Sequence, residues 1–543
     1  MLNVKRIFKA ATSLVLAASL VFSATACKKD KDEDDDKEQL PAMVDPINDN
    51  YRTFYQIFVG SFSDSNRDGI GDLRGIINRF DYLNDGNINS GKSLGVQGIW
   101  LSPIFSSPSY HKYDTTNYYG IDWRFGTEDD LKELIALCHE RNVKLILDLA
   151  INHTSSQHPW FQSFKEARMN DDTENEYFDY YTAVTTEEKV GGRTYQKIAG
   201  IDCWFECNFS GDMPELNFDN PAVKQATLDI AKYYLDLGVD GFRFDAIKYI
   251  YYGDTASTVE FWEWYMSELR ALKSDIYCVG ECWSGDTEII NYYGAMDCFG
   301  FGFSQQEGVI ANAAKGTSYL SNYTRYVESW QSKITEKNPN GMVMSFLSNH
   351  DMDRIAGTFV TENYMRMAAN LNLLTPGSPF IYYGEEIGMR GSRGSANTDA
   401  NRRLAMLWGD DEDLIRNPVG SSYPLANQIK TTVMDQLEDE NSLYNYYCRL
   451  IAIRHKHPAI ARGDYTSLST GEKNLGGFLV EYNGEKLGIM HNTSSEELSY
   501  DLSGCSALGG YTFSELCDYI GSGSARLEGT TLIIGPQTSV ILK

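Results

Sequence analysis

Eight short apolar, β-rich runs recur along this chain with helical patterns between them, and nothing else narrows the fold as far. The runs cover residues 54–62, 96–103, 144–153, 241–246, 276–283, 298–304, 343–351 and 379–385. Strands that alternate with helices imply parallel βαβ units. Eight such units imply an α/β fold, a TIM (β/α)8 barrel. The 543 residues are too many for one ordinary domain, but a large barrel absorbs most of them. Several helices are legible in detail. Thr127 followed three residues on by Asp130 forms a capping box, and Leu131, Leu134, Ile135 and Cys138 form one apolar stripe. Asn220-Pro221 opens another helix with Pro at its first position. Residues 443–453 read as the last barrel helix.

One connection breaks the pattern. About 65 residues separate His153 from Asn220, too long for a βα loop. The segment at about 154–218 therefore reads as a small domain inserted after the third strand and standing over the barrel mouth. From 463 onward the pattern changes to short alternating strands with Gly turns, as in 478–482, 487–491 and 531–534. These predict a C-terminal antiparallel β-sandwich over 463–543 behind a catalytic barrel over 49–462. No internal repeat is evident.

The first residues have a different purpose. Lys5 and Arg6 precede an apolar run at about 11–22, too short to span a bilayer and suited to a secretory signal. Ala24-Thr25-Ala26-Cys27 follows, resembling a bacterial lipoprotein signal over 1–26 with Cys27 as the lipidated residue. An ordinary signal cleaved near Ala26 is the alternative. The charged stretch over 27–48 reads as a disordered acidic tether. The expectation is an exported monomer, lipid-anchored to a bacterial membrane and facing outside the cytoplasm, whose only membrane contact is that anchor. With 48 Lys and Arg against 75 Asp and Glu the net charge is −27, which excludes nucleic acid as a partner and suits neutral substrates. Tyr and Trp, 35 and 9 in number, suit a binding cleft as well as a core. Cys203 with Cys207, or Cys278 with Cys282, are candidate disulfides that the sequence leaves open. No Cys/His cluster has zinc spacing.

TIM-barrel active sites lie at the C-terminal strand ends, and four runs carry polar groups there. The third contains Asp148, Asn152 and His153; the fourth Arg243, Asp245 and Lys248; the fifth Glu281; the seventh Asn349, His350 and Asp351. Arg243 and Asp245 are two apart on a strand and share a face, so the guanidinium keeps that carboxylate ionised, as a nucleophile requires. Glu281, near other acids, is placed to have a raised pKa and to donate a proton. Two carboxyls about 5–5.5 Å apart would define a retaining glycosidase working through a covalent glycosyl-enzyme. Asp351 would stabilise the positively charged sugar ring, and His153 and His350 would bond its hydroxyls.

These four segments resemble the four signature regions of the α-amylase family, glycoside hydrolase family thirteen. Further matches span nearly the whole mature chain. Residues 98–103 resemble the family's second strand, Tyr113-Asp114 with Tyr118 its sugar-stacking loop, and 213–217 the motif closing its inserted domain. Residues 382–388 resemble its eighth strand, and Asp399 to Trp408 the segment whose Arg pairs with the sugar-binding Asp. The resemblance implies Asp245 as nucleophile, Glu281 as acid/base and Asp351 as stabiliser. It implies Tyr113, Asp114, His153, Arg243, Lys248, His350 and Arg403 as substrate-binding residues. Three positions depart from the family: Tyr249 stands where many α-amylases have His on the leaving-group side, Glu215 where Asp, Lys or others occur, and Ala405 where Pro is frequent. None removes a catalytic group. The pairing Ala246-Ile-Lys248 looks more like α-amylases than α-glucosidases.

Asp64, Asn66, Asp68, Ile70 through its carbonyl, and Asp72 place oxygens at every second position around a Gly turn, a spacing that suits Ca²⁺. The family has a calcium site in this loop, and some members bind a second calcium through the residue here numbered Asn152. The expected activity is endo-hydrolysis of α-1,4 bonds in starch and maltooligosaccharides, with no organic cofactor. The rivals are an exo-α-glucosidase, neopullulanase or transglycosylase of the same family, and a non-catalytic surface glucan-binding protein. The last would be expected to lack one of the carboxylates or the Arg, and all are present.

Overall fold

The protein is described from a computed structural model covering residues 48–87, 90–410 and 413–543. The signal segment, Cys27 and the tether as far as residue 47 lie outside the described residues. Parallel strands Asp297–Cys298, Tyr277–Gly280, Gly241–Phe244, Lys144–Leu149, Gly98–Leu101, Phe54–Ile57 and Phe380–Tyr382 are hydrogen-bonded neighbours in that order. The expected seventh strand makes single-residue bridges instead of a ladder. Met344 pairs with Phe299 on one side and Phe346 with Phe380 on the other, so the eight staves close into a barrel. Carbonyls of Val343 and Ser345 accept from Ser378 and Phe380, and that of Met344 from Gly300. Helices such as Glu128–Glu140, Pro221–Leu237 and Leu443–Lys456 alternate with the strands and cover them.

Each ladder ends before its apolar run does. The first strand stops at Ile57 and the chain turns into a 3-10 helix, Val59–Ser61. The fifth stops at Gly280, one residue short of Glu281. The polar ends of the runs therefore stand just above the sheet, where the loops begin. Below them the barrel is filled with rings: Phe54 stacks on Phe380 at 4.8 Å, and Phe299 lies 4.9 Å from Phe380 and 5.4 Å from Trp100. That floor is apolar and closed to water, which sets the electrostatics of everything above it.

The capping box forms as the sequence predicts. Thr127 Oγ1 accepts from the Asp130 amide at 3.2 Å, and the Asp130 carboxylate accepts from the Thr127 amide at 2.9 Å. Asn220 likewise caps Pro221–Leu237 through the Ala222 amide. The insertion after the third strand holds a helix, Pro159–Asn170, and a three-stranded antiparallel sheet. Residues 213–217 sew its far end to the barrel: Glu215 bridges His153, the Leu216 amide donates to Asn152, and the Thr154 amide donates to Pro214. Beyond residue 463 a five-stranded and a three-stranded antiparallel sheet follow. All nine described cysteines are free thiols, so neither candidate disulfide forms. Among the described residues no helix is long and apolar enough to cross a membrane.

Candidate active site

Parallel register brings the charged groups together. Asp148 on the third strand is the cross-strand partner of Arg243 on the fourth, and Val279 on the fifth is the partner on the other side. Two residues further along, Asp245 and Glu281 emerge side by side, the Glu281 amide donating to the Phe244 carbonyl at 2.9 Å. Ala246 then adopts a left-handed backbone, φ 48°, and turns the chain sharply away behind Asp245.

Arg243 is fully buried and ties three acids together. Its Nη1 lies 2.8 Å from Asp148 and 2.6 Å from Asp245. Its Nη2 lies 3.0 Å from Glu281 Oε1, close enough for an ion pair but off the N–H axis, so that oxygen accepts no hydrogen bond. Asp148 also accepts from Trp100 Nε1 at 3.1 Å and from the Tyr113 hydroxyl at 2.9 Å. Burial pushes the Asp148 carboxyl up to about 7, Arg243 opposing and Asp245 adding. Burial likewise raises Glu281 to about 8, against Arg243 and with Asp245, Asp351 and Asp148. Asp351 goes the other way: burial pushes it up, but His350, Arg403 and Arg243 outweigh that and hold it well below the usual carboxylate range. One acid is thus kept protonated at neutral pH beside another kept ionised, the arrangement that proton transfer and cation stabilisation each need.

A cavity of about 650 Å³ opens over this cluster. Asp245, Glu281, Asp351, Tyr113, His153, Lys248 and Arg403 line it, seven of the ten catalytic and binding residues expected from sequence. The other three are elsewhere. Arg243 lies beneath, clamping the carboxylates. His350 also lies beneath: Gln56 donates to its Nδ1 at 2.7 Å, which puts the ring proton on Nε2, 2.6 Å from the Tyr113 oxygen and 3.0 Å from Asp351. Its ring stacks on Tyr113 at 5.5 Å and 6°. It therefore holds Tyr113 and Asp351 instead of reaching a sugar. Asp114 does not line the cavity, its carboxylate accepting from the Ser107 and Ser109 hydroxyls. Arg403 pairs with Asp351, at 2.6 Å, so the acid it serves is the expected stabiliser and not Asp114.

Sequence reasoning assigned no role to Asp148, Trp100 or Gln56, which make up the layer beneath the cavity. Asp148 had a signal, a lone acid inside the otherwise apolar strand Lys144–Leu149, since a buried charge requires a partner. The aromatic rim of Phe209, Tyr249 and Trp283 also went unassigned apart from Tyr249. Phe209 and Tyr249 lie 4.7 Å apart, and Trp283 stacks on Phe301 at 5.3 Å.

Comparison with known proteins decides the family, because the model of the α-amylase catalytic domain matches residues 56–463. This chain belongs to the α-amylase family. The chain is similar to Alpha-amylase 3 of Dictyoglomus thermophilum, 36% identical over 90% of this chain and 92% of its own length. The structure of Eubacterium rectale Amy13B is 36% identical, covers 91% of this chain and 96% of its own, and superposes with a TM-score of 0.84. A 4-alpha-glucanotransferase of Thermotoga neapolitana is 28% identical over 82% of this chain and 97% of its own length. The protein is accordingly an α-amylase-type glycoside hydrolase, in a family whose members here include a transferase.

The loop holding Asp64, Asn66, Asp68, Ile70 and Asp72 curls through three successive side-chain turns. Asp64 accepts the Asn66 amide at 3.1 Å, Asn66 the Asp68 amide at 2.9 Å and Asp68 the Ile70 amide at 2.8 Å. Gly69 at φ 92° makes the turn possible. Asp72 meanwhile caps the helix Leu73–Asn78 through the Gly75 amide at 2.6 Å. Among the described residues no three His, Cys, Asp or Glu side chains gather closely enough to hold a metal by themselves. A hard-cation site here would therefore have to draw on carbonyl oxygens, such as those of Asn66 and Ile70.

Proposed function

We propose that this α-amylase-family enzyme hydrolyses α-1,4-glucosidic bonds in starch and maltooligosaccharides by an endo mode, with retention of configuration. The observation that carries the reading is a set of unused polar atoms around the cavity floor. His153 Nδ1 and Nε2 are buried without a hydrogen-bond partner, and Glu281 Oε1 has only its ion pair with Arg243. Leaving the imidazole unpaired is costly, and sugar hydroxyls would pair it. In the first step an Asp245 oxygen attacks the anomeric carbon while Glu281 gives its proton to the departing oxygen, so the C–O bond breaks and the leaving chain departs neutral. In the second, the Glu281 carboxylate takes a proton from water, whose oxygen attacks from the face the leaving chain vacated and displaces Asp245 from the opposite one. Asp351, ionised and fixed by Arg403, faces the positive charge that develops between these steps. Asp245 and Glu281 contact one guanidinium, which fits the short carboxyl separation of a retaining site.

The calcium reading is part of this proposal. Asp64, Asn66, Asp68, Ile70 and Asp72 would hold the ion, which would supply a structural cross-link and take no part in proton transfer. A second reading, transfer of the glucosyl unit to a sugar, is favoured by one feature: Phe209, Tyr249 and Trp283 put aromatic rings in the cavity lining, on which an acceptor would stack. Reducing-end release from starch, pullulan and maltotriose, with product sizes, tests both readings. Mixed oligomers are expected from starch; glucose alone would favour an exo enzyme, and growth of the maltotriose substrate into longer chains would favour transfer. Asp245→Asn should lower turnover by about 10⁴-fold or more while leaving the fold intact. A folded Asp245→Asn protein that keeps most of its activity would refute the nucleophile assignment.

A further inference from the structure

We infer that Lys112, outside the cavity, is a positioning residue that sets where Tyr113 stands over the sugar site, by folding the loop 107–114 around a buried ammonium ion paired with Asp122. The inference rests on the hydrolytic reading above. His111 and Tyr113 line the active-site cavity, whereas Lys112 between them turns the opposite way and lines a separate space of about 200 Å³ behind the loop. Such a reversal needs an unusual backbone, and Lys112 is left-handed at φ 68°, a region that a side chain with a Cβ rarely adopts.

The conformation is held by charge. Lys112 Nζ lies 2.7 Å from Asp122 Oδ2, and both side chains are 2% exposed. It also donates to the Ser109 carbonyl at 2.9 Å and the Ser107 carbonyl at 3.4 Å, so loop backbone wraps the cation. Arg124 locks Asp122 from the far side, at 2.8 and 2.9 Å, and donates to the same Ser107 carbonyl at 3.0 Å. The Lys112 amide donates to Ser109 Oγ at 3.1 Å, and that hydroxyl also bonds Asp114. The Ser107 and Ser109 carbonyls and the Ser109 hydroxyl are thus all bound to this one cluster. With the loop so held, the Tyr113 ring stacks on His350 and its hydroxyl donates to Asp148. An uncharged residue at 112 takes away the Ser109 carbonyl's donor, leaves Asp122 and the Ser107 carbonyl to Arg124 alone, and frees the backbone to leave φ 68°. Tyr113 then shifts, and water reaches Asp148 and Glu281.

The test compares Lys112→Met, Lys112→Gly, Asp122→Asn and the double variant Lys112→Met/Asp122→Asn with the wild type. The expected result is a roughly ten- to hundredfold loss of kcat/KM carried mainly by KM. The alkaline limb of the pH profile should move to lower pH, as hydration of the floor makes Glu281 more acidic. Asp122→Asn, which also releases Arg124, should lose at least as much as Lys112→Met, and the double variant no more than Asp122→Asn, because the Lys112 contact is already gone there. Lys112→Gly fits the left-handed backbone without the ammonium and serves if Lys112→Met fails to fold. Wild-type KM and an unmoved limb in a folded Lys112 variant would overturn the inference, as would additive losses in the double variant. Maltotriose affinity, measured by calorimetry in a Glu281→Gln background, separates the two claims. A wild type without turnover refutes the hydrolytic reading, while binding that Lys112→Gly does not weaken refutes the positioning role.

Discussion

At neutral pH the cavity contains carboxyls in opposite states, and the difference comes from their neighbours. Glu281 stands on a dry aromatic floor with Asp245, Asp351 and Asp148 around it, and burial first and those charges second raise it to about 8. Asp351 is more open to the cavity and is pinned between His350 and Arg403. The proton that Glu281 must donate is therefore present below pH 8 and lost above it, so kcat/KM should fall on the alkaline side with a limb near pH 8. The same shift has a sign for stability. A carboxyl whose folded pKa is raised adds stability that is fully present below its unfolded pKa and is lost as pH rises through about 8. Glu281→Gln should therefore be inactive yet more resistant to unfolding than the wild type at pH 9, measured by thermal melts across pH 5 to 9. A wild-type limb below pH 6, or a variant that melts earlier at pH 9, would place the acid elsewhere. In the sequence the two reacting acids were legible because each ends an apolar run next to Gly or Arg. The support under them was not, since Gln56 and Trp100 gain meaning only when strands far apart in the chain are aligned.

At the scale of elements, the loop from Asp64 to Asp72 is fastened to a distant stretch of chain. Asp413 accepts from Ser63 Oγ at 2.6 Å and from the Asp64 amide at 3.2 Å, and the Arg416 amide donates to Gly69 at 3.0 Å. The Met406 amide donates to Ser61 at 2.8 Å. The stretch so fastened begins with Arg403, which grips Asp351, so the geometry of this loop reaches the cavity through backbone. A cation bound to the folded loop and not to the unfolded chain adds about 2.7 kcal/mol at a hundredfold excess over its Kd. Chelation should accordingly lower the melting temperature by a few degrees, Ca²⁺ should restore it, and Asp68→Ala should be insensitive to both. A melting temperature indifferent to chelator and to Asp68→Ala would remove calcium from the account. Periodicity revealed the eight staves and this loop because both repeat within a few residues. It gave no sign that the run at 343–351 would bridge its neighbours singly, since pairing depends on residues 299 and 380, which no local pattern connects.

The C-terminal sheets are joined to the barrel by the alternation of one strand set. In Leu475–Tyr482, Phe478 and Val480 belong to the barrel's core while Leu479 between them belongs to a second core; Ile489 and Met490, and Ile541 with Val540 and Leu542, divide the same way. The five-stranded sheet is thus apolar on both faces, one against the helix Leu320–Lys337 and the other against the three-stranded sheet. Tyr323 meets Phe478 at 5.8 Å, Thr324 and Ser467 share a hydrogen bond of 2.6 Å, and Asn370 donates to Ser539 at 2.9 Å. Tyr465, Phe478, Val480, Leu487, Ile489, Ile520 and Ile541 are all buried in the barrel's core. At about 1.5–3 kcal/mol for each large side chain, losing their burial would strip a gross stabilisation of roughly 10 kcal/mol or more from that core. The sequence pattern marked this region as a C-terminal sandwich, and its five-stranded sheet also packs one face into the barrel's core. Deleting 463–543 should therefore leave the barrel insoluble or unfolded even though every residue lining the cavity remains. Phe478→Asp, aimed at the barrel, should destabilise the catalytic domain and activity together, and calorimetry of the intact protein should show one transition. A soluble, active fragment ending at residue 462, or two separate transitions, would show instead that the barrel holds itself together and that the sheets are an appendage.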